Sequence, residues 1–275
     1  MLCFPCAKIN IGLNVVRKRP DGYHDIETVF YPIPLHDNLE LRRDNKGTAP
    51  YSLQLAGDPV DCLPEENLIV RVFRSLQEEF SLPPSFIHLY KRIPSGAGLG
   101  GGSADAAFMI KAVNEEYGLN LSEEEMENRI APFGADCPFF VRCRPVYATG
   151  TGNIMSPLPF SLKGWVLVLV KPSVSVSTRE AYANLTPRES KHDLRILLAN
   201  PVEQWRGTVR NDFEERVFLH HPRIAAIKST LYDMGAVYAA MSGSGSTVFA
   251  LFRHRIDEVS EVFDDCFVFQ EKLRI

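Results

Sequence analysis

The sequence predicts an α+β fold in two domains, and three observations support this. Segments with strand periodicity and segments with helix periodicity interleave irregularly, whereas a doubly wound parallel sheet would alternate them regularly. Glycines and prolines cluster between residues 149 and 159, and a new apolar strand begins at Trp165. Because 275 residues suffice for two modest domains, we expect one at residues 1–155 and the other at 156–275.

The first element is a strand near the N-terminus, where polar and apolar residues alternate. One face carries Lys8, Asn10, Gly12 and Asn14, and the other carries Ile9, Ile11, Leu13 and Val15. This period of two predicts a half-buried strand. Its polar face is either solvated or, through Lys8 and Asn10, directed at a ligand. The Asp21-Gly22 pair that follows predicts a hairpin turn.

The most informative segment is a glycine-rich loop at residues 94–103. It consists of Pro94, Ser95, Gly96, Ala97, Gly98, Leu99, Gly100, Gly101, Gly102 and Ser103. An apolar run over residues 86–93 precedes it, and a helix-forming run from Ala104 follows. Glycine allows positive φ and close approach of a ligand, and a helix N-terminus presents unpaired N–H groups. The pattern predicts a phosphate site, whereas a flexible linker would have polar flanks.

Three kinds of phosphate loop can be compared with this segment. A Walker loop needs Gly-Lys-Ser/Thr, but Gly102 is followed by Ser103, which excludes it. The dinucleotide fingerprint G-x-G-x-x-G matches from Gly96 to Gly101. Its acidic partner should follow a second strand, whereas the acids at 115–116 close a helical run. A nicotinamide-dependent oxidoreductase is therefore the weaker alternative.

Helix periodicity and end signals place the remaining elements. Ser122 and Glu125 form a capping box at the start of one helix, and Gly235 is expected to end another. The expected helices cover residues 68–80, from 104, from 123, 194–198, 213–219 and 224–234, and a strand at 248–252 belongs to a final hairpin.

Composition limits the classes of partner. A net charge of −4 gives no overall attraction for nucleic acid. No apolar run approaches the ~20 residues that span a bilayer, and the N-terminus lacks the pattern of a signal peptide. We therefore expect a cytoplasmic protein with small-molecule partners, no nucleic acid and no membrane, and the composition sets no oligomeric state. The six scattered cysteines fit reduced thiols, and Cys3-x-x-Cys6 lacks the second ligand pair of a zinc site.

Three motifs in this order resemble the signatures of the GHMP kinases, a superfamily of small-molecule kinases. The loop at 94–103 resembles the second signature at every required position, and the strand at 7–15 resembles the first. Residues 240–247, Ala-Met-Ser-Gly-Ser-Gly-Ser-Thr, resemble the third, which packs beside the phosphate loop. Taken alone, such Gly-Ser alternation is also typical of a turn cluster.

Further motifs resemble one member of this superfamily, whose substrate is a methylerythritol polyol linked to cytidine diphosphate. They lie at residues 19–24, 134–140 and 174–182, so the resemblance spans nearly the whole chain. It implies transfer of the ATP γ-phosphoryl group to the 2-hydroxyl of that polyol, with Mg²⁺, in non-mevalonate isoprenoid biosynthesis. It also implies a ribosomal S5 domain 2-like N-terminal domain and a ferredoxin-like C-terminal domain, with the active site in the cleft between them.

The resemblance assigns roles to individual residues. Asp136 matches the catalytic aspartate and Lys8 its partner lysine, while Ser103 is a candidate ligand of Mg²⁺ or phosphate. The ATP-binding residues implied are the loop at 94–103, with Asn67 and Lys91 at the adenine. The substrate-binding residues implied are Asn10, Tyr23, His24, Thr178 and Tyr182, the last stacking on the cytosine ring.

Two residues depart from the family pattern. Ala104 stands where many relatives have a second serine, so that hydroxyl is absent. Ser95 stands where some relatives carry a methionine against the adenine, which changes the shape expected for that pocket. The first alternative is another GHMP small-molecule kinase. A non-catalytic nucleotide- or RNA-binding module is a weaker one, against which the charge of −4 and the pair Lys8 and Asp136 argue.

Overall fold

A computed structural model describes residues 1–60, 62–183, 185–188 and 192–274. The chain forms two compact units, and each unit is made of separate chain segments. The first unit comprises residues 1–7, 35–95 and 100–144, and the second comprises residues 8–34, 96–99 and 145–275.

The strands of the described residues are numbered in chain order. They are β1 (Leu2–Cys3), β2 (Cys6–Lys18), β3 (His24–His36), β4 (Asn38–Arg43), β5 (Tyr51–Gly57), β6 (Ser85–Lys91), β7 (Val146–Thr149), β8 (Ile154–Pro157), β9 (Val166–Lys171), β10 (Tyr238–Met241), β11 (Val248–Phe252) and β12 (Phe267–Lys272).

The α-helices are numbered in the same way. They are α1 (Leu68–Phe80), α2 (Gly101–Tyr117), α3 (Glu123–Ile130), α4 (Phe139–Arg142), α5 (Thr178–Tyr182), α6 (Leu194–Leu198), α7 (Phe213–His220), α8 (Pro222–Asp233) and α9 (Val259–Val262). Short 3₁₀ turns occur at Pro64–Glu66, Ala131–Phe133 and Val202–Gln204.

Local sequence signals account for several of these boundaries. Helix α1 has its predicted bounds, and the Asn67 side chain caps it by accepting a hydrogen bond from the Ile69 N–H at 3.1 Å. The Ser122 capping box is confirmed at the start of α3. Helix α2 begins at Gly101, three residues before the predicted start. Glycine has a low helix propensity, so the sequence pattern did not indicate this first turn.

The first unit is a four-stranded sheet covered by helices on one face. Its strand order is β1-β4-β6-β5, antiparallel except for the parallel pair β5 and β6. Helix α2 packs against α1, α3, α4 and β4. Apolar residues of the sheet and of both long helices form the buried core, among them Leu39, Ile87, Phe73 and Ile110. This arrangement fixes the direction of the glycine-rich turn from β6 to α2.

The second unit contains two sheets. The sheet β10-β11-β9-β12 is antiparallel throughout, which is the strand order of a ferredoxin-like fold. Helices α7 and α8 pack together, and α8 also packs on β10 and β11. The sheet β2-β3-β7-β8 carries most of its residues in this unit. The predicted hairpin is formed by β10 and β11, but α9 and β12 follow it, so it is not the last element.

Strand β2 differs from its prediction. Its first eight residues are buried on both faces, so the expectation of a half-buried strand is wrong there. Lys8 is 4% exposed and Asn10 is 3% exposed. Both side chains make hydrogen bonds inside the protein, which allows polar groups to be buried at small cost. In this part of β2, the polar residues Lys8 and Asn10 therefore belong to an internal hydrogen-bonded network and do not form a solvated face.

Candidate functional site

The glycine-rich loop takes the backbone conformation that its sequence predicts. Gly96, Gly98 and Gly100 have φ of +60°, +74° and +71°, in the left-handed region that favours glycine. A Cβ added at Gly98 would lie 2.1 Å from the carbonyl oxygen of Ser242, so no other residue fits there without a shift. Gly98 is therefore in close contact with the glycine-serine motif at residues 240–247, and this contact lies within the second unit.

The loop ends at the N-terminus of α2. Gly100 is the N-cap, and its carbonyl accepts a hydrogen bond from the Ala104 N–H at 2.8 Å. Because glycine has no side chain, no side-chain hydrogen bond caps this helix. The N–H groups of the three residues before Ala104 have no intrahelical acceptor. Three such donors and the positive end of the helix dipole suit a phosphate.

The glycine-serine motif at 242–247 packs beside the loop, as the resemblance implies. The Ser242 hydroxyl donates to the Gly98 carbonyl at 2.9 Å, and the Thr247 N–H donates to the Ala97 carbonyl at 3.3 Å. Ser242 and Thr247 are fully buried. The motif thus sets the position of residues 97–98.

Lys8 and Asn10 lie in one hydrogen-bonded network on β2. The Lys8 Nζ donates to Asn10 Oδ1 at 2.5 Å and lies 4.6 Å from the centroid of the Phe30 ring. Asn10 Nδ2 donates to Thr28 Oγ1 at 3.0 Å, and the Asn10 N–H donates to Ser242 Oγ at 3.1 Å. Strand β2 is therefore joined through Ser242 to the glycine-rich loop.

Lys91 lies in a buried ion cluster in the first unit. It is 4% exposed, and its Nζ donates to Asp37 and, at 2.7 Å, to Asp105 Oδ2. Asp37 also accepts the backbone N–H groups of Arg92 and Ile93, at 2.5 and 2.8 Å. The cluster ties the end of β6, the start of the glycine-rich turn and the first turns of α2 together.

The Asp105 carboxyl is the uncommon member of this cluster. It is 3% exposed, and its Oδ1 has no hydrogen-bond partner among the residues that the structure describes. Burial raises the pKa of Asp105 to about 8 against the opposing effect of Lys91, and Asp37 adds to the rise. The same two carboxylates raise the pKa of Lys91 against its own burial. Asp105 is therefore the carboxyl of the cluster whose titration is shifted toward neutral pH.

Three further residues that are predicted to bind ATP lie in the first unit. Asn67 is mostly buried and serves as the cap of α1. Ser95 is exposed at the turn between β6 and α2, and Pro94 is half-buried. The assignment of Asn67 and Lys91 to adenine and of Pro94 and Ser95 to the ATP loop stays a prediction.

Asp136 lies in the turn before α4, in the first unit. It is half-buried, and its neighbour Cys137 is fully buried. Burial raises the pKa of the Cys137 thiol to about 11, although a hydrogen bond with Ser103 lowers it in part. A Cβ added at Gly134 would lie 3.9 Å from Ser103 Oγ. The turn at 134–137 is therefore next to the first turn of α2.

The aromatic residues of the predicted substrate side meet in the second unit. The rings of His24 and Tyr182 are stacked, with centroids 4.7 Å apart and an interplanar angle of 17°. The edge of Phe213 packs against Tyr182 at 4.7 Å. Burial, with a smaller effect of Lys18, lowers the pKa of His24 and favours the neutral ring.

The other predicted substrate residues lie at the surface of the same unit. Tyr23 is 67% exposed, at the tip of the turn between β2 and β3. Thr178 is exposed at the start of α5. The nearby Arg17 and Arg19 form ion pairs with Asp25, so part of their charge is neutralised.

Sequence reasoning missed three polar residues that hold predicted site residues in place. In the first unit, Asp37 and Asp105 accept hydrogen bonds from Lys91. In the second unit, Asn211 donates to the carbonyls on both sides of Ser242. The available signal for Asp37 was a carboxylate directly before a strand, and the signal for Asp105 was a carboxylate inside an alanine-rich helix. The Asn-Asp pair at 211–212 resembles a helix cap, and nothing local indicates its long-range contacts.

Within residues 1–60, 62–183, 185–188 and 192–274, no group of three or more His, Cys, Asp or Glu side chains is placed to hold a metal ion. In the same ranges, no helix has the length and apolarity needed to cross a bilayer.

Comparison with protein families identifies two matching models. The model described as GHMP kinases N terminal domain matches residues 67–143, and the one described as GHMP kinases C terminal matches residues 191–268. The expected domain division after residue 155 stays a prediction.

Curated relatives match over the whole chain. The 4-diphosphocytidyl-2-C-methyl-D-erythritol kinase of Bacteroides fragilis is 51% identical over 274 residues, covering 100% of both chains. The enzyme of the same name from Bacteroides thetaiotaomicron is 53% identical over 252 residues, covering 92% of each.

Solved structures agree with these matches. A crystal structure of 4-(cytidine 5'-diphospho)-2C-methyl-D-erythritol kinase superposes with a TM-score of 0.84 at 28% identity and covers all of both chains. A homoserine kinase from Cytophaga hutchinsonii superposes with a TM-score of 0.66 at 18% identity, covering 98% of this chain and 94% of its own. The second similarity is one of fold.

Proposed function

Because the chain belongs to the GHMP kinases, and among them to the 4-diphosphocytidyl-2-C-methyl-D-erythritol kinases, we propose that it phosphorylates 4-diphosphocytidyl-2-C-methyl-D-erythritol. ATP is the donor, the 2-hydroxyl is the acceptor, and the products are the 2-phosphate and ADP. The reaction belongs to non-mevalonate isoprenoid biosynthesis. The observation that carries the proposal is the full-length identity of 51% to an enzyme of that name, together with the glycine loop that ends at an uncapped helix.

The donor side of the proposal rests on the loop and α2. Phosphoryl transfer depends mostly on positioning the triphosphate and on stabilising the charge of its oxygens. Backbone N–H groups at the start of α2 provide fixed donors for those oxygens. The positive φ values at Gly96, Gly98 and Gly100 aim this backbone. The adenine is assigned to the side of Asn67 and Lys91, as the family resemblance implies.

The chemistry of the acceptor is assigned to Asp136 and Lys8. Asp136 is the base that takes the proton of the 2-hydroxyl, since a carboxylate within about 2.6–3.2 Å of a hydroxyl can accept its proton. Lys8 supplies positive charge for the developing alkoxide and the phosphoryl oxygens. Its ammonium is oriented by the bond to Asn10 and by the Phe30 ring.

The nearby oxygen donors fit Mg²⁺, which prefers oxygen ligands and is held through few protein groups plus substrate phosphates. Ser103 has a hydroxyl and Asp136 a carboxylate, and their two segments are adjacent. Ser103 would hold the ion. When bound, Mg²⁺ neutralises the charge of the phosphates.

The cytidine end is assigned to the stacked pair His24 and Tyr182. Aromatic faces bind a flat base through stacking, and a neutral His24 ring can also donate or accept a hydrogen bond. Tyr23 and Thr178, on the same unit, are assigned to the diphosphate and polyol side. Cytoplasmic location and restriction to small-molecule partners stay predictions from the sequence.

The proposal is tested by turnover and by one substitution. We expect the purified protein to release ADP from ATP only when the cytidine-linked polyol is present, with the 2-phosphate as product by mass spectrometry. Asp136→Ala should keep its affinity for ATP and lose on the order of 10²–10⁴-fold in kcat, the range of general base catalysis. Asp58→Ala, at an exposed carboxylate of the same unit, is the control.

Two outcomes would contradict these assignments. No phosphorylation of the polyol by the wild-type protein would refute the function. Full turnover by Asp136→Ala would refute its role as base and leave the function intact.

A further inference from the structure

The segment before α7 is fixed on strand β2 by its backbone. The Leu13 N–H donates to the Arg210 carbonyl, and the Asp212 N–H donates to the Leu13 carbonyl, both at 2.8 Å. Leu13 and Asn211 form a parallel bridge. The Asp212 carboxylate accepts the Val15 N–H at 2.7 Å. The backbone of Asn211 is therefore held in a fixed position beside β2, the strand that carries Lys8 and Asn10.

Both the Nδ2 and the Oδ1 of the Asn211 side chain form hydrogen bonds inside the protein. It is 4% exposed, and Nδ2 donates to the carbonyls of Met241 and Gly243, each at 2.8 Å. Its Oδ1 accepts the Phe213 N–H at 3.0 Å. The amide orientation follows from these partners, because the reversed amide would place an oxygen against two carbonyl oxygens.

The two carbonyls that Asn211 binds flank Ser242. The Ser242 hydroxyl joins the glycine-rich loop to β2: it donates to the Gly98 carbonyl at 2.9 Å and accepts the Asn10 N–H at 3.1 Å. Gly98 packs directly against the Ser242 carbonyl, since an added Cβ would meet that oxygen at 2.1 Å. A shift of residues 241–243 must therefore move the loop, the Asn10 backbone, or both.

We propose that Asn211 is a positioning residue for phosphoryl transfer, whose amide fixes the 241–243 segment and through Ser242 sets the spacing between the phosphate loop and the strand that carries Lys8. The inference rests on the proposed function, because it assigns Asn211 to the same site. A fixed donor pair is needed here since a misplacement of about 1 Å can cost on the order of 10²-fold in rate.

Asn211→Asp tests the donation directly. Aspartate has the same shape and can still accept the Phe213 N–H, but it removes both donors and places a carboxylate oxygen against two carbonyls. We expect kcat with ATP and the polyol to fall on the order of 10²-fold. Binding of cytidine diphosphate, a probe of His24 and Tyr182, should stay unchanged, and so should the circular dichroism spectrum.

A matched control is available in the same unit. Asn200 also donates through Nδ2 to two carbonyls, those of Ile196 and Leu197 at 3.1 and 3.3 Å, but it is exposed at the end of α6. Asn200→Asp makes the same chemical change away from the site and should keep wild-type kcat.

Coupling with Ser242 separates positioning from a general loss of stability. Ser242→Ala removes the hydroxyl that joins Gly98 to Asn10 and should lower kcat in the same direction. If both residues act through this one link, the double variant loses no more than the worse single variant. Fully additive losses, or an Asn211→Asp variant with wild-type kcat, would overturn the inference. No turnover by the wild-type protein would instead refute the proposed function.

Discussion

The two units hold their predicted site residues in place by different chemistry. In the first unit, the turn into α2 is fixed by charge, because Lys91 is buried between Asp37 and Asp105. In the second unit, residues 97–98 are fixed by neutral groups, among which the Ser242 hydroxyl and the Asn211 amide are central. A buried charge left without its partner is costly, whereas a neutral hydrogen bond contributes about 1 kcal/mol.

This difference separates stability from activity. Removal of a charge from the cluster should weaken the fold, and the loss should depend on pH. Disturbance of the neutral network should change the spacing of the loop and affect catalysis more than folding. The three substitutions below test that contrast.

Lys91→Met should have the largest effect on stability. It leaves Asp37 and Asp105 buried without their cation, and the loss of one partner of a buried ion pair costs about 3–5 kcal/mol. Urea denaturation at pH 8 measures the free energy of unfolding. Lys46→Met, at an exposed lysine of the same unit, is the control and should be close to wild type. Equal midpoints for the two variants would contradict a structural role for the cluster.

Gly98→Ala should have a smaller effect on stability and a large one on activity. The new Cβ would meet the Ser242 carbonyl at 2.1 Å, so the loop must move by about 1 Å, and kcat/KM for ATP should fall on the order of 10²-fold. Gly164→Ala is the matched control, because Gly164 also has positive φ but has no atom within 4 Å of its Cβ position. Both variants place a side chain at a positive φ, so the difference between their kcat/KM values measures the effect of the contact between the new Cβ and the Ser242 carbonyl. Similar kcat/KM values for the two variants would contradict this effect.

Asp105→Asn should have the smallest effect, visible as a change of pH dependence. The carboxyl faces Lys91, Asp37 and the Cys3 thiol, and burial raises its pKa from 3.8 to about 8. Between these values the folded protein holds a proton that the unfolded chain has released. Stability therefore falls as pH rises through this window.

The side chain of the asparagine variant does not titrate, so its stability lacks this pH dependence. From pH 5.5 to pH 8, the free energy of unfolding of the variant should therefore rise relative to that of the wild type, as measured by urea denaturation at both pH values. Parallel pH profiles of the two proteins would show that Asp105 does not titrate in this window.

The elements that the sequence predicted correctly are those determined by residues close together in the chain. The loop at 94–103, the bounds of α1 and the capping box at Ser122 each depend on neighbouring residues, so sequence patterns suffice. The family resemblance added roles for Lys8, Asp136, His24 and Tyr182, and these roles stay predictions. It did not predict that the rings of His24 and Tyr182 stack on each other, because this contact joins distant segments of the chain.

The remaining parts depend on contacts between distant residues. Lys91 and Asp37 are 54 residues apart, and Asn211 and Met241 are 30 apart. No local periodicity encodes such pairs. The alternating pattern of β2 predicted a half-buried strand, because the pattern cannot reveal that Thr28 and Ser242 provide partners for Asn10.

The start of α2 has a consequence for how the protein is completed. A capping side chain contributes about 1 kcal/mol to a helix, and Gly100 provides none. On the proposed function, the nucleotide phosphate accepts those N–H groups and becomes the cap of the helix. Binding of ATP would then stabilise the folded protein, because a ligand that binds only the folded state shifts the folding equilibrium toward it. The bound phosphate would thus supply the helix cap that position 100 lacks.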